Sequence, residues 1–191
     1  MADIKGRKSH TIIQQGLKIL DRLTHRGAVG ADPRAGDGAG ILLQLPDGFF
    51  RAVVDFELPD YGSYAVGMLY LPQEEEARTD AEATILRFVE SEGQHLIGWR
   101  DVPVNDEGLG VSVRPTEPVI RQVFIGCGSV CPDQTAFERK LFVIRKQIDN
   151  FIRESAQLGK NQFYFTSLSS RTITYKGMLL ADQVGEFYPD L

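Results

Sequence analysis

The sequence predicts a mixed fold, α/β or α+β, in which sheets are covered by helices. Three observations lead there. Apolar residues recur at helical spacing in several segments, β-rich runs lie between them, and the last two such runs follow each other directly. That final adjacency speaks against a simple doubly wound sheet, because parallel strands need a crossover helix between them.

The elements follow in order. Residues 9–24 read as an amphipathic helix, with Ser9 as N-cap and Ile13, Leu17 and Leu20 along one face. A glycine-rich run comes next, then "GILLQL" (40–45), a buried strand ended by Pro46. "DGFFRAVVDF" (47–56) is a short helix and "SYAVGMLYL" (63–71) a strand. In the following helix Thr79 and Glu82 have capping-box spacing, and Ala81, Ile85, Phe88 and Val89 form the apolar stripe. "HLIGWRDVPV" (95–104) and "VIRQVFIGC" (119–127) read as strands around a loop rich in Gly, Pro and acid. Residues 135–157 carry the strongest helical signal. Thr135 and Glu138 repeat the capping-box spacing, Phe137, Leu141, Ile144, Ile148 and Phe151 step by four and three, and Gly159 is a natural stop. "QFYFTSLSS" and "RTITYKG" then form a hairpin-like pair, and the closing "GEFYPDL" completes no recognisable element.

Composition narrows the function classes. With 42% hydrophobic and 25% charged residues, the 191-residue chain builds a core. A net charge of −5 speaks against a general nucleic-acid binder. No apolar run approaches the roughly 20 residues that span a bilayer. The basic "MADIKGRKSH" leads into no apolar segment, so no secretory signal is expected, and two cysteines suit a reducing cytoplasm.

The run "HRGAVGADPRAGDGAGI" (25–41) concentrates glycine beside two arginines and two aspartates. A phosphate loop requires a strand, then glycines, then a helix N-terminus, whose free N–H groups meet the anion. Here a helix precedes and a strand follows, so free carbonyls face the run, and no Gly-Lys-Ser/Thr follows the glycines. Asp32 and Asp37 make a weak calcium site, since no cluster of further ligands lies nearby. Turn formation through side-chain to backbone hydrogen bonds accounts for them better. Cys127 and Cys131, in "GCGSVCP", are half of a zinc pattern whose other half is missing; His10, His25 and His95 are scattered. A redox pair is open, although three intervening residues depart from Cys-x-x-Cys; thiols without a catalytic role are the better reading. His25 and Arg26 either bond the last carbonyls of the helix or hold a carboxylate substrate or nucleophile.

These segments resemble a family. "LTHRGAVGADPRAGDGAGILLQLP", "KSHTIIQQGLKILDRLTHRGA" and "TSLSSRTITYKGMLLADQVGEFYPDL" are similar to type-2 glutamine amidotransferase domains of the kind found in the large subunit of glutamate synthase. Together they extend over residues 1–191, read as one partial domain. The resemblance narrows the fold to α+β, the four-layer αββα sandwich of N-terminal nucleophile hydrolases. It implies hydrolysis of L-glutamine to glutamate and ammonia, with the ammonia passed to 2-oxoglutarate. The nucleophile is a cysteine at the mature N-terminus, its own α-amino group acts as base, and an Asn-Gly pair serves the oxyanion.

By the same resemblance, Arg26 is the best candidate neighbour of that cysteine, and Gly27, Asp37, Gly38 and Gly40 belong to the glutamine-pocket wall. Ser169, Ser170 and Arg171 match a late strand motif to which spacing assigns no chemistry. FMN and an iron–sulfur cluster are expected in the full-length enzyme and not in these residues, and no metal is expected here. The implied partners are the remainder of the large chain and a small subunit, and the implied location is the cytoplasm, or a plastid in a plant or alga. The family's cysteine precedes "ADIKGRKSH" and its Asn-Gly pair follows "FYPDL"; neither occurs within these 191 residues, and Asn-Gly occurs nowhere in them. This polypeptide alone is therefore expected to be inactive, with a non-catalytic interaction or regulatory module, or one part of a split protein, as the alternative.

Overall fold

The computed structural model describes residues 2–24, 32–129, 131–157 and 163–191. Among these the fold is α+β with antiparallel sheets, the class expected from the sequence. The chain divides into two compact units.

The larger unit comprises Gln44–Asp101 and Pro118–Ile173. It contains α2 (Asp47–Val53), β2 (Tyr64–Leu71), α3 (Glu75–Ser91), β3 (His95–Asp101), β4 (Val119–Gly126), α4 (Gln134–Gln157) and β5 (Tyr164–Ser169). Its sheet runs in the order β3-β4-β2-β5, with every neighbouring pair antiparallel. The connectivity β-α-β-β-α-β, with each helix linking strands that have another strand between them, is a split βαβ arrangement.

Helices α3 and α4 cover one face. Their stripes, Ala81, Ile85 and Val89 with Phe137, Leu141, Ile144 and Ile148, pack on Ala65, Leu69, Val123, Ile125 and Phe165. Each fully buried large apolar side chain contributes roughly 1.5–3 kcal/mol, which makes this layer the main source of cohesion in the unit. The same strands also bury aromatics from the α2 side. The Phe124 ring meets Phe50 and Phe56 edge-on, both with centroids 5.2 Å away. Covered on both faces, β2 reads as an almost unbroken apolar run. Gly98 has no side chain because the Phe56 ring lies 2.5 Å from where its Cβ would sit.

The smaller unit comprises residues 1–43, 102–117 and 174–191. Here lie α1 (His10–Arg22), α5 (Gln183–Phe187) and most of a two-stranded sheet pairing β1 (Ala39–Gln44) with β6 (Thr172–Gly177). Tyr188 anchors the unit. Its ring stacks edge-on against Tyr175, 5.1 Å away, and its hydroxyl donates to the Lys176 carbonyl at 2.7 Å.

Several expectations change. Ser9 does cap α1, accepting from the Thr11 N–H, but the helix buries none of its residues completely. β1 is half-buried and its Leu42 is 64% exposed, because the two-stranded sheet leaves one side of this strand open. Neither capping box exists. α3 starts four residues before Thr79, whose hydroxyl donates to the Glu75 carbonyl inside the helix. At α4 the capping oxygen belongs to Asp133, which accepts from the Ala136 N–H at 2.7 Å. Gly159 lies outside the described residues. The closing segment, expected to be irregular, contains α5.

The final pair of strands is not a hairpin. β5 pairs with β2, whereas β6 pairs with β1 in a different sheet. The reason is a clasp on the two serines between them. One Glu138 oxygen accepts from the Ser170 N–H and hydroxyl, both at 2.6 Å, and the carboxylate also receives the Ser169 hydroxyl. The Ser169 oxygen in turn accepts from the Arg171 and Thr172 N–H groups, so the chain bends and leaves the sheet. Gln134 adds a donor to the Ser170 hydroxyl oxygen at 3.1 Å, and Arg171 donates to Thr135 at 2.9 Å. This is the role the structure gives Ser169, Ser170 and Arg171. Because Ser170 is completely buried, Glu138→Ala strands its N–H without water. The expected cost is about 1–3 kcal/mol in urea unfolding, with Glu138→Gln clearly milder; equal stability of Glu138→Ala and the parent protein would refute the clasp.

Candidate functional site

The glycine run enters the described residues at Asp32. There Asp and Pro begin a turn: the Asp32 carboxylate accepts from the Arg34 N–H at 3.0 Å, and its carbonyl accepts from the Ala35 N–H at 3.1 Å. The second carboxylate oxygen reaches 80 residues along the chain to Ser112, accepting from its hydroxyl at 2.7 Å and its N–H at 3.0 Å. The Ser112 hydroxyl, then the Ser112 and Arg34 backbone N–H groups, hold the Asp32 pKa below the ordinary carboxylate value. Gly110 admits this carboxylate, which lies 2.5 Å from where a Cβ would sit. Asp32 thus braces the start of the loop. Among the described residues no three His, Cys, Asp or Glu side chains converge on a common point.

Beyond the turn the loop runs against residues 175–180. A Cβ on Gly36 would lie 2.2 Å from the Leu179 carbonyl oxygen, and one on Gly40 would lie 2.4 Å from Lys176 Cβ and 2.5 Å from the Tyr175 carbonyl oxygen. Both neighbours are held in place by surrounding backbone, so neither position has room for a side chain. Gly38 is glycine for a different reason, its φ of +122°, which lies in the region that side chains disfavour. Asp37 stands between these glycines and is exposed.

Gln183, at the start of α5, joins the three strips of backbone that flank the loop. Its side-chain amide N–H₂ donates to the carbonyls of Arg34 (3.2 Å) and Gly108 (2.9 Å), while its oxygen accepts from the Leu180 N–H at 2.7 Å. This buried amide thus has both its N–H₂ and its oxygen taken up by backbone groups. Neither Gln183 nor Ser112 was recognisable from the sequence, since nothing local marks either. The Asp-Pro dipeptide was a readable turn signal, but its long-range partner was not.

The structure therefore brings Asp37, Gly38 and Gly40 onto one braced loop. His25, Arg26 and Gly27 lie outside the described residues. In the larger unit a cavity of about 620 Å³ opens between α3 and α4, lined by residues such as Glu74, Asp80, Arg87 and Phe151. None of the expected site residues lines it.

The family model for class-II glutamine amidotransferases matches residues 1–191. The chain belongs to this family. Among its relatives, the glutamate synthase (NADPH) large chain of Bacillus subtilis (strain 168) is 48% identical over 192 residues. The corresponding large chain of Azospirillum brasilense is 38% identical over 199 residues. The ferredoxin-dependent glutamate synthase 2 of Synechocystis sp. (strain ATCC 27184 / PCC 6803 / Kazusa) is 36% identical over 194 residues. In all three cases the match takes in the whole of this chain and 12% of the relative.

Two outcomes test the braces of this amidotransferase loop. Gln183→Leu leaves three backbone groups without partners and is expected to cost at least about 1–3 kcal/mol in urea unfolding; a neutral result would show that the amide is dispensable. The Asp32 carboxylate has a depressed folded-state pKa, so its stabilising contribution is complete above the ordinary carboxylate range. It is lost as the pH falls through the lower, folded-state value. The stability difference between the parent protein and Asp32→Asn is therefore expected to shrink as the pH falls below the ordinary carboxylate range, and a pH-independent difference would contradict the assignment.

Proposed function

We propose that residues 1–191 are part of the glutamine-hydrolysing domain of a glutamate synthase large chain, and that the loop through Asp37, Gly38 and Gly40 is one wall of its glutamine pocket. The observation that carries this reading is the family match over every residue of the chain, together with a glycine loop whose entry is fixed by Asp32 and Gln183. Gly36 and Gly40 let the loop lie directly against the backbone of residues 175–180, which fixes its course.

In this reading the reacting thiolate belongs to a cysteine carrying a free α-amino group. It attacks the side-chain carboxamide carbon of glutamine, ammonia leaves with the proton taken from the thiol, and water then releases glutamate from the thioester. In the same reading, and by family resemblance, Arg26 has the role of orienting that cysteine or its loop, and Gly27 that of permitting close backbone approach. Neither an N-terminal cysteine nor an Asn-Gly oxyanion pair is found within these 191 residues, so the polypeptide by itself provides wall and scaffold without turnover.

Amination of 2-oxoglutarate by the released ammonia, and the FMN and iron–sulfur electron transfer that goes with it, belong to the remainder of the large chain and a small subunit. Two cysteines cannot furnish the four thiolates of an iron–sulfur cluster, so the residues present do not fit that group. No helix among the described residues is long and apolar enough to cross a membrane, which is compatible with a cytoplasmic or plastid enzyme.

Glutamine hydrolysis, followed as ammonia release, tests the assignment. The complete protein is expected to turn over and the 191-residue polypeptide to remain at the no-protein blank. Arg26→Ala in the complete protein is expected to fall about 10- to 100-fold, the value of one charged hydrogen bond in the transition state. Unchanged turnover in that variant would remove Arg26 from the site.

A further inference from the structure

The glutaminase reading leaves the cavity of about 620 Å³ in the larger unit without a use. Its form follows from the unequal reach of two helices. Glu92, just past α3, accepts from Lys140 at 2.9 Å and from Gln147 at 2.7 Å, and the Phe88 ring meets the Phe151 ring at 5.8 Å, so α3 and α4 run antiparallel. Ser155, about one turn beyond Phe151, thus comes level with Thr84. α4 ends at Gln157, whereas α3 extends about two turns further, back to Glu75. Those turns form one wall of a wedge, and Ile152 and Phe163 face them.

The charges on that wall are kept apart. Glu76, Asp80 and Arg87 follow one stripe of α3, and all three line the cavity. Asp80 and Arg87 are about 10 Å apart along the helix axis. The Arg87 guanidinium is held by two rings, 4.8 Å from the centroid of Phe88 and 4.9 Å from that of Phe151. Among the described residues nothing accepts a hydrogen bond from it, and Glu74, Glu76 and Asp80 make no ion pair. Between the charged ends the lining is short, with Ala77 and Ala81 beside the hydroxyls of Thr84 and Ser155. The last turn of α4, to which Ser155 belongs, ends in free carbonyls and adds negative potential on the Asp80 side.

A guanidinium at one end and carboxylates at the other call for a ligand of the opposite polarity. We propose that the wedge binds a dibasic amino acid of the lysine and ornithine class, its carboxylate on Arg87 and its ω-ammonium on Asp80 and Glu76. Spacing selects the chain length. The α-ammonium and carboxylate of any amino acid are only roughly 3 Å apart, too close to serve both ends. The ω-ammonium of lysine stands roughly 7 Å from its carboxylate, and a hydrogen bond at each end covers the rest. Its methylenes lie along Ala77 and Ala81, and its α-ammonium donates to the Thr84 and Ser155 hydroxyls. Charge selects the class. The lining sets the three carboxylates of Glu74, Glu76 and Asp80 against one guanidinium, which favours a ligand of net positive charge over an anionic amino acid. Arg87 supplies the fork that a carboxylate takes in two parallel hydrogen bonds, and the two rings fix its position before the ligand arrives.

The test is isothermal titration calorimetry of the complete protein with L-lysine. Saturable binding is expected. Cadaverine, which lacks the carboxylate, and hexanoate, which lacks both ammonium groups, are each expected to bind at least about 10-fold more weakly. Arg87→Gln is expected to weaken L-lysine about 10-fold or more and to leave cadaverine unchanged, whereas Asp80→Asn is expected to weaken both. Both side chains are exposed, so neither change disturbs the core. Absence of L-lysine binding, cadaverine binding as tightly as L-lysine, or L-lysine affinity untouched by both substitutions would overturn the proposal. The three ligands on the parent protein decide even if a variant fails to fold.

Discussion

A single carboxylate determines how the chain passes from one sheet to the other. Glu138 is carried on α4, whose position is fixed by Phe137, Leu141, Ile144 and Ile148 against the sheet. From there it accepts the N–H and hydroxyl of a serine to which water has no access. Only a partner already immobilised by packing meets that demand without a large entropic cost. Apolar packing therefore aims the carboxylate, the carboxylate ends β5, and the next residues are released to pair with β1. The glycine loop relies on this step, because the backbone it rests against is that of β6 and the segment that follows.

Within the smaller unit, the loop is held by the opposite strategy. It contributes little apolar burial and is fixed by close backbone contact and by polar side chains that arrive from distant parts of the sequence. Gln183 and Ser112 each complete hydrogen bonds that the loop cannot make for itself. Rigid backbone of this kind offers amide groups in fixed directions with no side-chain rotamers to freeze, which is what recognition of a small polar molecule requires.

Periodicity made the helices and most strands legible, because burial against a sheet imposes a 3.6-residue stripe wherever it occurs. Their beginnings were less so. Thr79 and Thr135 have the spacing of capping boxes, yet Glu138 is drawn to a tertiary partner and Asp133 takes over at the helix start. The expected hairpin failed for the same reason: strand alternation reports local conformation, whereas the partner that separates β5 from β6 lies more than thirty residues upstream. The glycine loop was recognisable as special from its composition. What it touches was not, since Ser112 and Gln183 are distant polar residues with no local pattern. Arg26 and Gly27 rest on family resemblance alone.

The strand order has a consequence for synthesis on the ribosome. β2 is central, yet its first partner, β4, begins only at Val119, and its other partner, β5, comes later still. At about 5–20 residues per second, several seconds pass between the emergence of β2 and that of β4. Throughout that interval one of the most apolar strands in the chain has both edges unpaired, the condition under which nascent chains stick to one another. The acidic, helix-forming "EEEARTD" segment directly after it is well placed to keep this portion of the nascent chain soluble until the sheet can close.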